Sequence, residues 1–209
     1  MSQSVIDAIV TIEWDMFSNV QNRGGKAACQ LHPGVFTIMR RSHIEGWPLQ
    51  VQKSYCNDLT MARDMGRNLV SEKYAWMMQS TFPEEYAQIA HLLPELEQDE
   101  LCLIEDIVSI NVGWKEAALR AYPALGRNGR TLRTADDTPN LTSFETYLRG
   151  ECKTFSLETL RLLHEHTLAL NSAGENGVKD TLMRQVRRYG YETIEDAEKS
   201  CLEMPDMML

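Results

Sequence analysis

Basic charge is scarce in this chain of 209 residues: 21 Lys and Arg stand against 30 Asp and Glu, a net charge of −9. A protein whose main partner is nucleic acid carries a basic footprint that neutralises phosphates, so the balance argues against that class. Long apolar runs are missing too, and none approaches the roughly 18 residues that mark a membrane helix. The first ten residues have no basic stretch and carry Asp7 within their apolar run, unlike a signal peptide. The five cysteines (Cys29, Cys56, Cys102, Cys152, Cys201) show no C-x-x-C spacing, and an odd number leaves one unpaired. Reduced thiols in a cytoplasmic protein are therefore the expectation. No phosphate-binding glycine loop, dinucleotide fingerprint or H-E-x-x-H occurs, so no cofactor is expected. His164-Glu165-His166 sets its histidines two apart, on opposing sides of a helix, where they cannot chelate together. What remains, with 43% hydrophobic and 24% charged residues, is an ordinary globular composition.

The apolar spacing is helical nearly throughout and almost no segment alternates strictly, which predicts an all-α domain of nine or ten helices and no sheet. Ile6, Ile9, Val10, Ile12, Met16 and Phe17 outline a first amphipathic helix over about 3–20. Pro33-Gly34 delays the next to about Phe36, and Pro48 closes it. Helices follow over about 49–65, ended by Gly66, and from Asn68 as cap. Thr81 with Glu84 and Thr142 with Glu145 both read as capping boxes. A long helix covers about 99–121, and 123–141 reads as one extended loop. Three more helices open at Ser156, Asn176 and about Thr193.

An internal repeat is expected within this single domain, between 1–94 and 99–190. Ile6-Asp7-Ala8-Ile9-Val10-Thr11-Ile12 resembles Ile104-Glu105-Asp106-Ile107-Val108-Ser109-Ile110. Residues 36–78 lie over 144–186 without a gap, aligning Gly66-x-Asn68-x-Val70 with Gly174-x-Asn176-x-Val178. Two similar halves would enclose a cleft lined by equivalent helices.

Glu13 is the sharpest local anomaly. Its helical neighbours Ile9, Val10, Met16 and Phe17 are all apolar, so its carboxylate belongs to a buried stripe and needs a cation, a proton or a polar cavity. It reads either as a structural partner of an arginine, Arg40 or Arg149, or as a catalytic carboxylate. Glu72, early on its helix, is a second acid–base candidate or simply a first-turn acid favoured by the helix dipole. Tyr74 beside it is a candidate proton donor and Lys73 a cation, although on another face. Arg40, Arg149 and the loop arginines Arg127, Arg130 and Arg133 suit the forked recognition of an anion. Cys29, near Lys26 and His32, is a candidate nucleophile or a packed thiol. Glu13, Asp58, Glu72 and His43 compose the one conceivable carboxylate metal set.

Several of these stretches occur together in one known family. Ala28-Cys29-Gln30, Gly66-Arg67-Asn68-Leu69 with Glu72-Lys73-Tyr74-Ala75, and Thr142-Ser143-Phe144-Glu145-Thr146-Tyr147-Leu148-Arg149-Gly150-Glu151 resemble an uncharacterised bacterial family catalogued as a domain of unknown function. The resemblance spans about Ile6 to Glu198 and implies a bacterial cytoplasmic protein, with no reaction to carry over. Where that family often has a second Glu before a Trp, this chain has Asn111-Val112-Gly113-Trp114, so two symmetric carboxylates are not implied. The leading functional expectation is cofactor-independent acid–base chemistry on a small anionic metabolite. A non-catalytic helical binding or adaptor protein is the alternative, and a carboxylate metal site the third.

Overall fold

The computed structural model describes residues 2–21, 25–127 and 129–203, without the side chains of Ser2 and Cys29. Within them the chain is all-α. Eleven α-helices run in order: α1 Ser2–Ser18, α2 Pro33–Ile44, α3 Leu49–Asp64, α4 Leu69–Thr81, α5 Pro83–Ile89, α6 Gln98–Ala121, α7 Pro123–Gly126, α8 Phe144–Cys152, α9 Leu157–Ser172, α10 Gly177–Arg188 and α11 Ile194–Glu203. No strand occurs among the described residues, only one isolated bridge between Thr138 and Leu141.

Several helix ends follow from the side chains that cap them. Asn68 accepts the Ser71 N–H at the start of α4, Ser156 that of Thr159 at α9, and Asn176 that of Lys179 at α10. Gly66 and Gly174, with φ of 71° and 73°, end α3 and α9 in the left-handed region that glycine enters at little cost.

Three expectations need correction. Pro33 opens α2 instead of delaying it, because a missing N–H costs nothing in a first turn. Thr81 caps nothing; it ends α4, its hydroxyl donating to the Met77 carbonyl. At α8 the cap is Ser143, one residue beyond Thr142, and Glu145 instead accepts the Thr134 N–H and pairs with Arg149. The stretch 123–141 is also less plain than a loop, since it holds α7 and a 3₁₀ turn at Thr134–Asp136.

The main core gathers apolar side chains of α1, α2, α3, α4, α6, α8 and α9, with Ile9, Ile44, Leu59, Ile104 and Leu160 wholly buried. Trp47, Tyr55 and Phe155 meet edge to face at its centre. A smaller cluster of Tyr122, Val186, Ile194 and Ala197 seats α11. Helix pairings come in twos: α1 packs on α3 as α6 packs on α9, α1 on α2 as α6 on α8, and α4 on α8 as α10 on α2. Between these pairs lies a cavity.

Candidate functional site

The cavity holds about 1040 Å³ and takes lining residues from α1, α2, α3, α4, α6, α8, α9 and α10. That volume is at the upper end of what small-molecule sites occupy. Its floor is a cluster of charged side chains that are almost wholly withdrawn from water: Glu13 is 2% exposed, Glu151 4%, Lys73 7% and Arg40 9%.

Arg40 is the centre. Its Nε donates to Glu13 Oε2 at 2.8 Å and its Nη2 to Glu13 Oε1 at 2.5 Å. The same Nη2 lies 2.7 Å from Glu151 Oε1, whose second oxygen is 3.6 Å from Lys73 Nζ. Tyr55 Oη donates to Glu13 Oε1 at 2.6 Å. Two carboxylates thus face two cations, and the floor is neutral overall. Buried charge is tolerable only when paired and hydrogen-bonded in this way.

Electrostatics here follow from burial and partners. Burial alone would lift the Glu151 carboxyl, but Arg40 and Lys73 outweigh it and hold it down at about 2. Burial, reinforced by Glu13, keeps the Tyr55 hydroxyl protonated. His43, half-buried at the cavity wall one turn beyond Arg40, is pushed down to about 4 by loss of hydration and by its cationic neighbours, so it is neutral at pH 7. The Cys152 thiol is driven above the usual thiol range by burial, which leaves it a packing group.

The walls are aromatic and basic. Phe17 and Phe36 stack at 5.2 Å, with Tyr74 beside Phe17. On α8, Tyr147 lies between two cations: Lys73 Nζ is 3.5 Å and the Arg130 guanidinium 4.3 Å from its ring centroid. Lys115, Arg130 and Arg184 line the cavity and none has a carboxylate within ion-pair distance among the described residues. Glu175 and Asp180 line it as well, but both are exposed to water at the rim.

Of the residues singled out by sequence, Glu13, Arg40, Tyr74 and Arg130 come together here. Glu72 does not line the cavity; it forms a two-bond pair with Arg67 at 2.7 and 2.8 Å, beside its own helix start. Arg149 faces away, held by Glu105 and Glu145, and borders a separate hollow of about 260 Å³. The loop arginines do not converge: Arg127 is exposed, Arg130 donates to the Thr142 carbonyl, and Arg133 turns toward Glu116.

The metal set also fails to assemble. Asp58 is spent on the start of α9, accepting from the Ser156 N–H and the Thr159 hydroxyl. No group of three or more His, Cys, Asp and Glu among the described residues is arranged to hold a metal ion. The Cys29 side chain lies outside the described atoms, so the nucleophile reading finds no geometry there.

Glu151, Lys73 and Tyr55 were not singled out as a cluster by sequence. A signal for two of them was available, since Glu151 sits between Tyr147, Leu148 and Phe155 at helical spacing and Lys73 between Leu69, Val70, Trp76 and Met77. That is the same pattern that marks Glu13.

Fold and site together define an all-α protein with a large cavity between paired helices, floored by buried charged side chains, and no helix of its described residues is long and apolar enough to cross a membrane. The family model described as "Protein of unknown function (DUF4125)" matches residues 3–199, and the chain belongs to that family. No curated protein matches the chain, and no solved structure does.

Proposed function

We propose that the cavity binds a small organic anion and acts on it by proton transfer. One observation carries the reading: the buried floor is neutral, while Lys115, Arg130 and Arg184 on the walls keep cationic charge that no carboxylate of the described residues offsets at close range. An anion entering this low-dielectric space gains more from those charges than it would in water. Glu13 serves the site by holding Arg40 and Tyr55, because three hydrogen bonds already occupy its oxygens. His43 is the better proton acceptor. It is neutral, it lines the cavity, and a bound anion beside it raises its affinity for a proton.

The test is a thermal-shift panel of carboxylates and phosphate esters, followed by calorimetry in two buffers of different ionisation enthalpy. A ligand should bind the wild type with proton uptake, and Arg184→Met with Lys115→Met should weaken it at least tenfold. A panel without hits, or variants that bind as well as the wild type, would overturn the reading. The adaptor alternative draws support from Leu31, Val35 and Met39, which are exposed at four-residue spacing. Val35 and Met39 also line the cavity, however, and serve it as an apolar rim.

We also infer that residues 1–94 and 99–190 are copies of one unit. A shift of 108 residues lays α3 on α9 end to end and starts α10 where α4 starts. Asn68 donates from its side chain to the Met16 carbonyl on α1, and Asn176 does the same to Trp114 on α6. Arg41 pairs with Asp7, and Arg149 at the shifted position pairs with Glu105. A cytoplasmic setting belongs to the same proposal, supported by the scattered cysteines, and a bacterial one by the resemblance of the motifs alone.

A further inference from the structure

Two lysines line the cavity, and their surroundings differ. Lys73 is committed: its Nζ lies 3.6 Å from Glu151 and stacks on Tyr147. Lys115, half-buried on α6, has no carboxylate within 4.0 Å among the described residues. Its ammonium meets the Phe144 ring, 5.9 Å from the centroid. Phe144 and Tyr147 are three apart on α8, hence neighbours on one face. Lys115 therefore approaches one ring of that pair, while the Arg130 guanidinium covers the other at 4.3 Å. Loss of hydration lowers the proton affinity of the Lys115 amine, which enlarges its neutral fraction. A lysine without a carboxylate partner, lining a cavity that a guanidinium also lines and giving up its proton more readily than a solvated one, is the arrangement used by lysines that condense with carbonyl groups.

We propose that Lys115 is a nucleophile that forms an imine with a small carbonyl compound bearing an anionic group, the anion resting on Arg130. This rests on the reading of the cavity as an anion site. The amine nitrogen adds to the carbonyl carbon, making a C–N bond, and its proton passes to the former carbonyl oxygen. A second proton, taken from water, lets that oxygen leave as a water molecule and leaves a protonated imine. No electrons are exchanged. Aromatic walls suit a carbonyl compound with a planar body.

The probe is 4-carboxybenzaldehyde with cyanoborohydride, which reduces the imine to a stable amine that peptide mass mapping locates among the seven lysines of the chain. Lys153 is the internal control, because burial lowers its proton affinity as well but it borders only the smaller hollow. Lys115 should be labelled at least tenfold faster than Lys153 or the exposed Lys199, and Lys115→Arg should lose that label while Arg130→Met slows it. Labelling that follows exposure, or that favours Lys153, overturns the proposal. The non-carbonyl analogue 4-(hydroxymethyl)benzoate separates the two readings. If it stabilises the protein while Lys115 stays unlabelled, the anion site stands and the nucleophile falls. If it does not bind and no selective label appears, both fall.

Discussion

Replacing Glu13 by Gln keeps the shape of the side chain and removes one negative charge from the cavity floor. Its oxygens accept from Arg40 Nε, Arg40 Nη2 and Tyr55 Oη, and the residue is 2% exposed. The amide of Gln can accept through one oxygen only; its NH2 must then point at an Arg40 or Tyr55 donor, so at least one buried bond becomes a donor–donor contact. Breaking a buried ion pair from one side costs about 3–5 kcal/mol. Arg40 keeps Glu151 at 2.7 Å, which favours the lower end, about 3 kcal/mol. For a chain of this size that corresponds to a melting-temperature drop of roughly 6–12 °C. Urea unfolding followed by circular dichroism measures the difference directly, with the slope unchanged if the native state stays compact. A loss below about 1 kcal/mol would refute the argument that this pair carries the floor, since that is the scale of an exposed pair.

Other perturbations read other parts of the molecule. Asn68→Ala and Asn176→Ala each remove a helix cap and a side-chain bond to the helix packed beside it, so each should cost about 2 kcal/mol in chemical unfolding; a neutral result at either position would count against their equivalence. Glu72→Gln disturbs only a local pair with the partly exposed Arg67, and should leave stability within about 1 kcal/mol of wild type and ligand response unchanged. Stability should fall as pH drops from about 6.5 towards 4, because His43 is held neutral in the fold but takes a proton when unfolded, and fall again towards about 2 as Glu151 is protonated. His43→Gln should flatten the upper part of that slope, and an unaltered slope would show that other groups set it.

The helical course was readable because local rules govern it: Asn68, Ser156 and Asn176 mark helix starts by capping, and Gly66 and Gly174 mark ends by conformation. Where a rule depended on rotation about the helix, local reading failed. Thr81 and Thr142 have the composition of caps, yet α4 continues through the first and α8 begins after the second. The site was half readable. Glu13 and Arg40 announce themselves as charges on apolar faces, and the structure joins them. Glu151 and Lys73 carry the same pattern, charges flanked at helical spacing by Tyr147, Leu148 and Phe155 and by Leu69, Val70, Trp76 and Met77, whereas Glu72 shows only the position of a first-turn acid. No local pattern can show that α1, α2, α4 and α8 aim these four charges at one point; that is settled by packing between helices well separated along the chain.

The 108-residue shift that relates the helices does not relate the charges. It carries Arg40 onto Leu148, Lys73 onto Thr181 and Tyr55 onto Leu163, while the corresponding shift of α1 onto α6 carries Glu13 onto Asn111. Only the place of Glu151 meets another titratable group, His43. A frame with two like halves would offer two like sites, one per half, and a symmetric assembly of single units would have to bury that cluster twice. At the places of Glu13, Arg40, Lys73 and Tyr55 the second half supplies amide, hydrocarbon and hydroxyl, and its own contribution to the buried cluster is the single carboxylate of Glu151. For the anion site proposed above, the expected stoichiometry is therefore one ligand per chain, in a single orientation across the junction.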